Sequence, residues 1–315
     1  MNKNQVKNLV AISMVLFGAI LFSAKAIFIK LAYRHPVDVI SLLMLRMLFA
    51  FPVYLIIAYV SAKKKDKVKL SKKDWWLIIF SGITGYYLAS LSNFYGLKYI
   101  TASLERLILF VYPTLVVVFS SIVFRKRITR IQLIAIVLTY LGIAIAVMSD
   151  VNVQDQKNIW IGSAFIFGSA VIFAIYLVTC GTIIPKIGSI RFTAMAMSVS
   201  AFCVIAHYSV IHYEKILVQL DTEVYWLGAM IALFSTVFPS FLISEGIKRI
   251  GSSNTSIIAS IGPVSTIVLA YLFLNESITF YQIIGTLIVI GGVLLISWKG
   301  VEKVQTKNVE NKKGG

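Results

Sequence analysis

The sequence predicts an all-α integral membrane protein: ten transmembrane helices in two five-helix repeats of opposite orientation, with both termini cytoplasmic. Three observations carry this. The 315 residues are 58% hydrophobic and only 14% charged, with a mean hydropathy of +0.86, whereas a soluble domain carries roughly 25% charged residues. Apolar runs of about 20 residues, the length that crosses a bilayer, recur along the whole chain. The sequence also aligns with itself at a fixed shift of 150 residues.

Ten apolar runs are expected to span: 9–30, 37–60, 76–97, 100–124, 131–149, 159–180, 190–211, 224–245, 252–274 and 280–298. The first follows a basic start and resembles a signal peptide. Its apolar stretch continues past the A-x-A-like "AKA" and nine further spans follow, so it reads as a retained helix. The net charge of +17 does not point to nucleic acid, because the basic residues follow the positive-inside rule. With residues 1–8 inside, 22 of the 30 Lys and Arg fall in the even-numbered loops and the tails, against five in the opposite loops. The lysine-rich 63–73 segment reads as one such topology determinant, with lipid recognition as the alternative. The remaining three, Lys25, Arg46 and Arg106, lie within predicted spans.

The shift of 150 places "GLKYITASLERLILFVYPTLVVVFSSIVFRKRIT" over "GIKRIGSSNTSIIASIGPVSTIVLAYLFLNESIT" without a gap. Gly96/Gly246, Lys98/Lys248, Ser103/Ser253, Pro113/Pro263, Thr129/Thr279, Gln132/Gln282 and Gly142/Gly292 match, and apolar composition alone does not produce such matches. Residues 1–150 form the first repeat, 151–300 the second, and 301–315 a basic, disordered cytoplasmic tail. Five spans per repeat require the second to enter the membrane inverted. The loop charges agree: "RKRITR" after span four is matched by "NESITF" after span nine. Inverted repeats are characteristic of secondary transporters.

These two stretches resemble the EamA family of the drug/metabolite transporter superfamily. The resemblance covers residues 9–298, and the second-repeat G-x-x-x-x-x-S…P…LFLNE pattern is its most specific part. Arg125-Lys126 stands where family members often show an acid equivalent to Glu276. The resemblance implies a ten-helix inner-membrane carrier with a central cavity, moving a small metabolite, frequently outward.

Ionisable groups in hydrocarbon are costly and usually face a cavity or a partner. Lys25, Arg46, Glu105 and Arg106 are all expected in the outer half of the membrane, roughly 7–14 Å from its surface by the rise of about 1.5 Å per residue. Their charges sum to +2. Snorkelling to outer headgroups is one reading; attraction of a substrate carboxylate or phosphate is the other. The aligned Thr255 and Ser256 carry no charge, which favours function over a requirement of the fold. Glu105 is assigned as the partner of Lys25 or as a proton-coupling group. Asn93, Tyr87, Tyr112 and Tyr176, with Tyr86, Ser90, Ser235 and Thr236, are candidates for a substrate surface, interhelical hydrogen bonding being the competing role. Pro113 and Pro263 are candidate paired hinges or static kinks. Glu245 is expected to pair with Lys248 or Arg249.

Other classes find little support. His35, His207 and His212 form no metal motif, the two cysteines form no framework, and no catalytic or nucleotide-binding motif occurs. No enzyme, cofactor or metal is expected. A channel or receptor is the non-transporter alternative, and efflux of hydrophobic or cationic drug-like compounds the alternative within carriers. The expected partners are a small-molecule substrate and membrane lipid, with a homodimer as an option.

Overall fold

Helical segments, two of them π-helical, make up the described part of the chain. This computed structural model describes residues 3–63, 70–123, 125, 128–151, 156–211, 220–259, 261–292 and 294–295. The tail 301–315, the lysines between 64 and 69, and Lys126, Arg127, His212 and Lys215 lie outside the described residues, as do the side chains of Lys248, Thr255 and Ser256. No strand occurs among the described residues.

The helices are α1 (Lys3–Ala32), α2 (Val39–Lys63), α3 (Lys72–Ser81), α4 (Ala89–Leu97), α5 (Ala102–Leu109), α6 (Tyr112–Val123), α7 (Arg130–Val151), α8 (Gln156–Ile187), α9 (Ser189–Ile211), α10 (Thr222–Ala232), α11 (Phe238–Ala259), α12 (Ile261–Leu274) and α13 (Phe280–Gly292). Seven segments are long and apolar enough to cross a membrane: Val10–Ala32, Val39–Ser61, Lys72–Leu97, Ala102–Val123, Asn158–Ile187, Ser189–Ile211 and Thr222–Ile243. Three shorter apolar helices, Arg130–Ala146, Ile261–Leu274 and Phe280–Gly292, overlap the other three expected spans. The outward surface carries large apolar side chains such as Phe17, Ile56, Trp76, Val210, Phe280 and Leu287, the surface that hydrocarbon rather than water solvates.

The 150-residue repeat recurs in the backbone. Arg125 and Asn275 are the only non-glycine residues with positive φ among the described residues, at 51° and 56°. Each ends a helix of its repeat, the usual place for a left-handed residue. The next helices open with the same cap. Thr129 N–H donates to Gln132 Oε1 at 2.9 Å while Gln132 N–H donates to Thr129 Oγ1 at 3.3 Å; Thr279 and Gln282 repeat this at 3.3 and 3.2 Å. It is the reciprocal capping box. The π segments, Gly82–Leu88 and Leu233–Val237, also occupy matching places.

The repeats pack into each other: α1 lies against α11 and α12, α2 against α9 and α10, and α4 against α8. Between apolar helices in lipid, small residues permit the close approach that gives association its van der Waals energy. Gly142 of α7 and Gly285 of α13 show it: a Cβ on Gly142 would stand 2.7 Å from the Gly285 carbonyl oxygen, and one on Gly285 2.5 Å from that of Gly142. Loop contacts group as alternation requires. At one end Lys186 pairs with Asp74, linking the α8–α9 turn to the α3 start. At the other, His35 bridges Asp221 (3.1 Å) and Glu223 (3.2 Å) ahead of and within α10.

Two expectations are corrected. Span four is not one bent helix: it breaks at Phe110 and Val111, and Pro113 is the second residue of α6. Ser260, three residues ahead of Pro263, lies outside the described residues. In a first helical turn proline's missing N–H leaves no carbonyl without its partner, so Pro113 marks a helix start rather than an interior bend. The second-repeat match of the α4–α5 turn is also not a loop, since α11 runs unbroken from Phe238 to Ala259. Gly246 and Ser253, shared with the first repeat, are compatible with helix and did not reveal the difference.

Candidate functional site

The charges expected within spans meet in one cluster. Lys25 comes from α1, Arg46 from α2, and Glu105 and Arg106 from α5; Lys25 lies in the electrostatic field of the other three. Three cations and one carboxylate leave the cluster at +2 when all are charged.

Glu105 is 1% exposed, and Asn93 Nδ2 of α4 donates to its Oε1 at 2.5 Å. An ionised carboxylate only accepts, so the Asn93 amide must turn its NH2 towards it and its oxygen away. That oxygen, Oδ1, is buried without a hydrogen-bond partner among the described residues. Arg46, 5% exposed, donates through Nε to Thr236 Oγ1 at 3.0 Å and through Nη1 to Ser90 Oγ at 2.9 Å. Its guanidinium carbon stands 5.8 Å from the Phe94 ring centre, within cation–π range. Thr236 belongs to the second π segment and donates its own hydroxyl to the Ile231 carbonyl at 2.9 Å; Ser90 follows the first π segment. Arg46 thus ties together the two irregular stretches, where extra backbone turns such carbonyls out of the ordinary ladder.

Arg106 lies on the other side of α5. Its guanidinium rests against Gly262 of α12, where a Cβ would come within 2.5 Å of Nη2, 3.2 Å of Nε and 3.3 Å of Cζ. A side chain there would require the guanidinium to move. Arg106 Nε is buried with no partner among the described residues, and Tyr112 of α6 lies in the field of Arg106. Ser23 of α1 donates to the Gly262 or Ala19 carbonyl, at 3.0 and 2.9 Å. Adjacent residues on a helix point about 100° apart, and Glu105 and Arg106 accordingly take different partners. Glu105 and Lys25 interact through space; no direct ion pair joins them among the described residues, nor does Lys25 have a hydrogen-bond partner there.

The chain matches the EamA-like transporter family over residues 9–148 and again over 160–298. It belongs to that family. It is 31% identical over 285 residues to "Uncharacterized transporter YcbK" of Bacillus subtilis (strain 168), covering 90% of this chain and 89% of the relative. It is 24% identical over 253 residues to "Uncharacterized transporter YetK" of the same organism, covering 80% and 76%. A solved crystal structure superposes with a TM-score of 0.62 at 14% identity, covering 91% of this chain and 96% of that one, which shows a shared fold. The protein is an EamA-like transporter that passes the membrane several times.

Of the other expected site residues of this EamA-like transporter, Asn93 and Tyr112 join the cluster, and Ser90 and Thr236 hold Arg46. Tyr87 turns instead to α9, its hydroxyl 2.8 Å from His207 Nδ1. Tyr176 donates to Tyr86 Oη at 2.8 Å and stacks on Phe173 and Phe192, in an apolar nest beside the cluster. Glu245 pairs with Arg249 at 2.7 Å. Gly262 was not expected in the site, and it has no chemistry to signal it. No His, Cys, Asp or Glu grouping suited to a metal occurs among the described residues.

Proposed function

We propose that this EamA-like transporter is a secondary carrier that exports a small anionic or zwitterionic metabolite of amino-acid type by alternating access. In this reading it has ten spans in two inverted repeats, residues 1–150 and 151–300, sits in the inner membrane and keeps both termini in the cytoplasm. The observation that carries the reading is the meeting of buried Arg46 and Glu105 with half-buried Lys25 and Arg106 in one cluster with an excess of positive charge. Lys25 and Arg106 Nε are donors without a committed partner among the described residues, and Asn93 Oδ1 is an acceptor in the same position. A substrate carboxylate supplies what the donors lack, and a substrate ammonium suits Glu105 and Asn93 Oδ1. Buried polar groups left unpaired discriminate strongly against molecules that cannot satisfy them.

Glu105 is the proton-coupling group of this mechanism, since it is the only carboxylate of the cluster. A second reading, efflux of cationic or hydrophobic compounds, draws on the aromatic nest of Tyr112, Phe173, Tyr176 and Phe192. Metabolite profiling inside and outside cells with and without the gene separates the two. Export of a carboxylate-bearing compound that fails with Lys25→Gln supports the first; resistance to cationic drugs with no exported carboxylate supports the second.

A further inference from the structure

We propose that Glu276 is a positioning residue for α5, a clamp between the repeats whose release opens the cavity at that end of the molecule. Glu276 follows α12 in the second repeat, yet its carboxylate accepts from the first turn of α5. Ala102 N–H donates to Oε1 at 2.8 Å, and Ser103 N–H and Oγ donate to Oε2 at 3.2 and 2.9 Å. Thr101 Oγ1 takes Leu104 N–H at 3.1 Å, and the Thr101 carbonyl takes Glu105 N–H at 3.0 Å. Every amide of the turn is thereby used, two of them by a residue 174 and 173 positions away. A carboxylate at a helix N-terminus also opposes the positive end of the helix dipole.

A second contact mirrors it. Lys30 of α1 donates to the Leu97 and Ile100 carbonyls at the C-terminal end of α4, at 3.2 and 3.1 Å. A cation therefore holds the end of α4 and an anion the start of α5, and the two feel each other's charge. Both line a cavity of about 370 Å³ together with Tyr33, Arg34, Lys98 and Thr101. Glu105 and Arg106 sit within one turn of the clamped amides, so a shift of the α5 start displaces the charge cluster directly.

The sequence does not repeat the clamp's carboxylate at the matching place of the first repeat. The position matching Glu276 is Lys126, and a cation does not accept from helix amides. The segment matching the α5 start lies inside the continuous α11. The carboxylate of the clamp therefore distinguishes this end of the molecule from the matching place of the other repeat.

The test rests on the topology proposed above, which places the clamp outside. A reporter cysteine replaces Ala26, which is 2% exposed and one turn below Lys30 on α1, in a Cys180→Ala, Cys203→Ala background. Labelling by a membrane-impermeant maleimide is timed in right-side-out and inside-out vesicles. Glu276→Gln, which keeps shape but loses the charge and one accepting oxygen, should raise labelling from the outer face about tenfold, the shift expected for loss of one helix cap. Glu276→Asp should fall between. Ser103→Ala, which removes one of three hydrogen bonds and leaves the acid, should give about threefold. Unchanged labelling from both faces in monodisperse Gln and Ser103 variants would overturn the clamp. Faster labelling from the cytoplasmic face alone would support the clamp and overturn the orientation.

Discussion

Gly262→Ala tests the geometry around Arg106 without removing any charge. The added Cβ would stand 2.5 Å from Nη2, and ordinary contact at 3.4 Å requires the guanidinium to retreat by about 0.9 Å. The obstacle is the far end of a flexible side chain, so the fold should yield cheaply. We expect a stability change below about 1 kcal/mol, helped by alanine's higher helix propensity. Transport should suffer more, because a misplacement near 1 Å at a charged binding group costs about tenfold to a hundredfold. Gly85→Ala is the control with the opposite signature. There the Cβ would meet the Tyr176 ring at 2.2 Å, and that ring is 5% exposed, so overpacking should cost about 1–3 kcal/mol. The assay is a double-mutant cycle on transport rate with thermal unfolding in detergent alongside. If Arg106 mediates the effect, Gly262→Ala should add little once Arg106→Ala is present. A full, independent loss from Gly262→Ala in the Arg106→Ala background would refute the reasoning.

Three further outcomes follow from the same contacts. Glu105→Gln should abolish dependence on the pH gradient while substrate exchange across the membrane persists; unchanged gradient dependence removes Glu105 from coupling. Lys25→Gln and Arg46→Gln should weaken transport of an anionic substrate selectively, and Arg46→Gln should also lower stability by about 1–2 kcal/mol, because it strips Ser90 and Thr236 of their donor; equal loss for every substrate class would point to a folding defect. Gly142→Leu should prevent accumulation of folded protein, since backbone at 2.7 Å cannot move aside as a side chain does; normal expression and melting would contradict the close packing of α7 and α13.

The chain announces its class and its repeat because both depend on local composition and spacing. Apolar runs measure themselves against the bilayer, and Thr129/Gln132 and Thr279/Gln282 match in sequence because each pair closes the same cap. The charge cluster was legible for a related reason: Lys25, Arg46, Glu105 and Arg106 are conspicuous where every neighbour is apolar. Features that arise between distant segments were not. The break at Phe110–Val111 and the unbroken α11 share the same apolar vocabulary, so periodicity does not separate them. The π segments leave no compositional mark. Tyr87 and Tyr176 looked equivalent to Tyr112, and only packing assigns them to His207 and to Tyr86. Glu276 was visible as part of a motif, but its hold on Ala102 and Ser103 joins opposite repeats.

Flux in proteoliposomes tests the central claim most directly. Protein reconstituted with a carboxylate-bearing metabolite found by profiling should show saturable uptake, accelerated by the same compound on the opposite side and reduced at least tenfold by Lys25→Gln or Arg106→Gln. Flux that rises linearly with concentration, shows no acceleration from the opposite side, or favours cations over anions would contradict it.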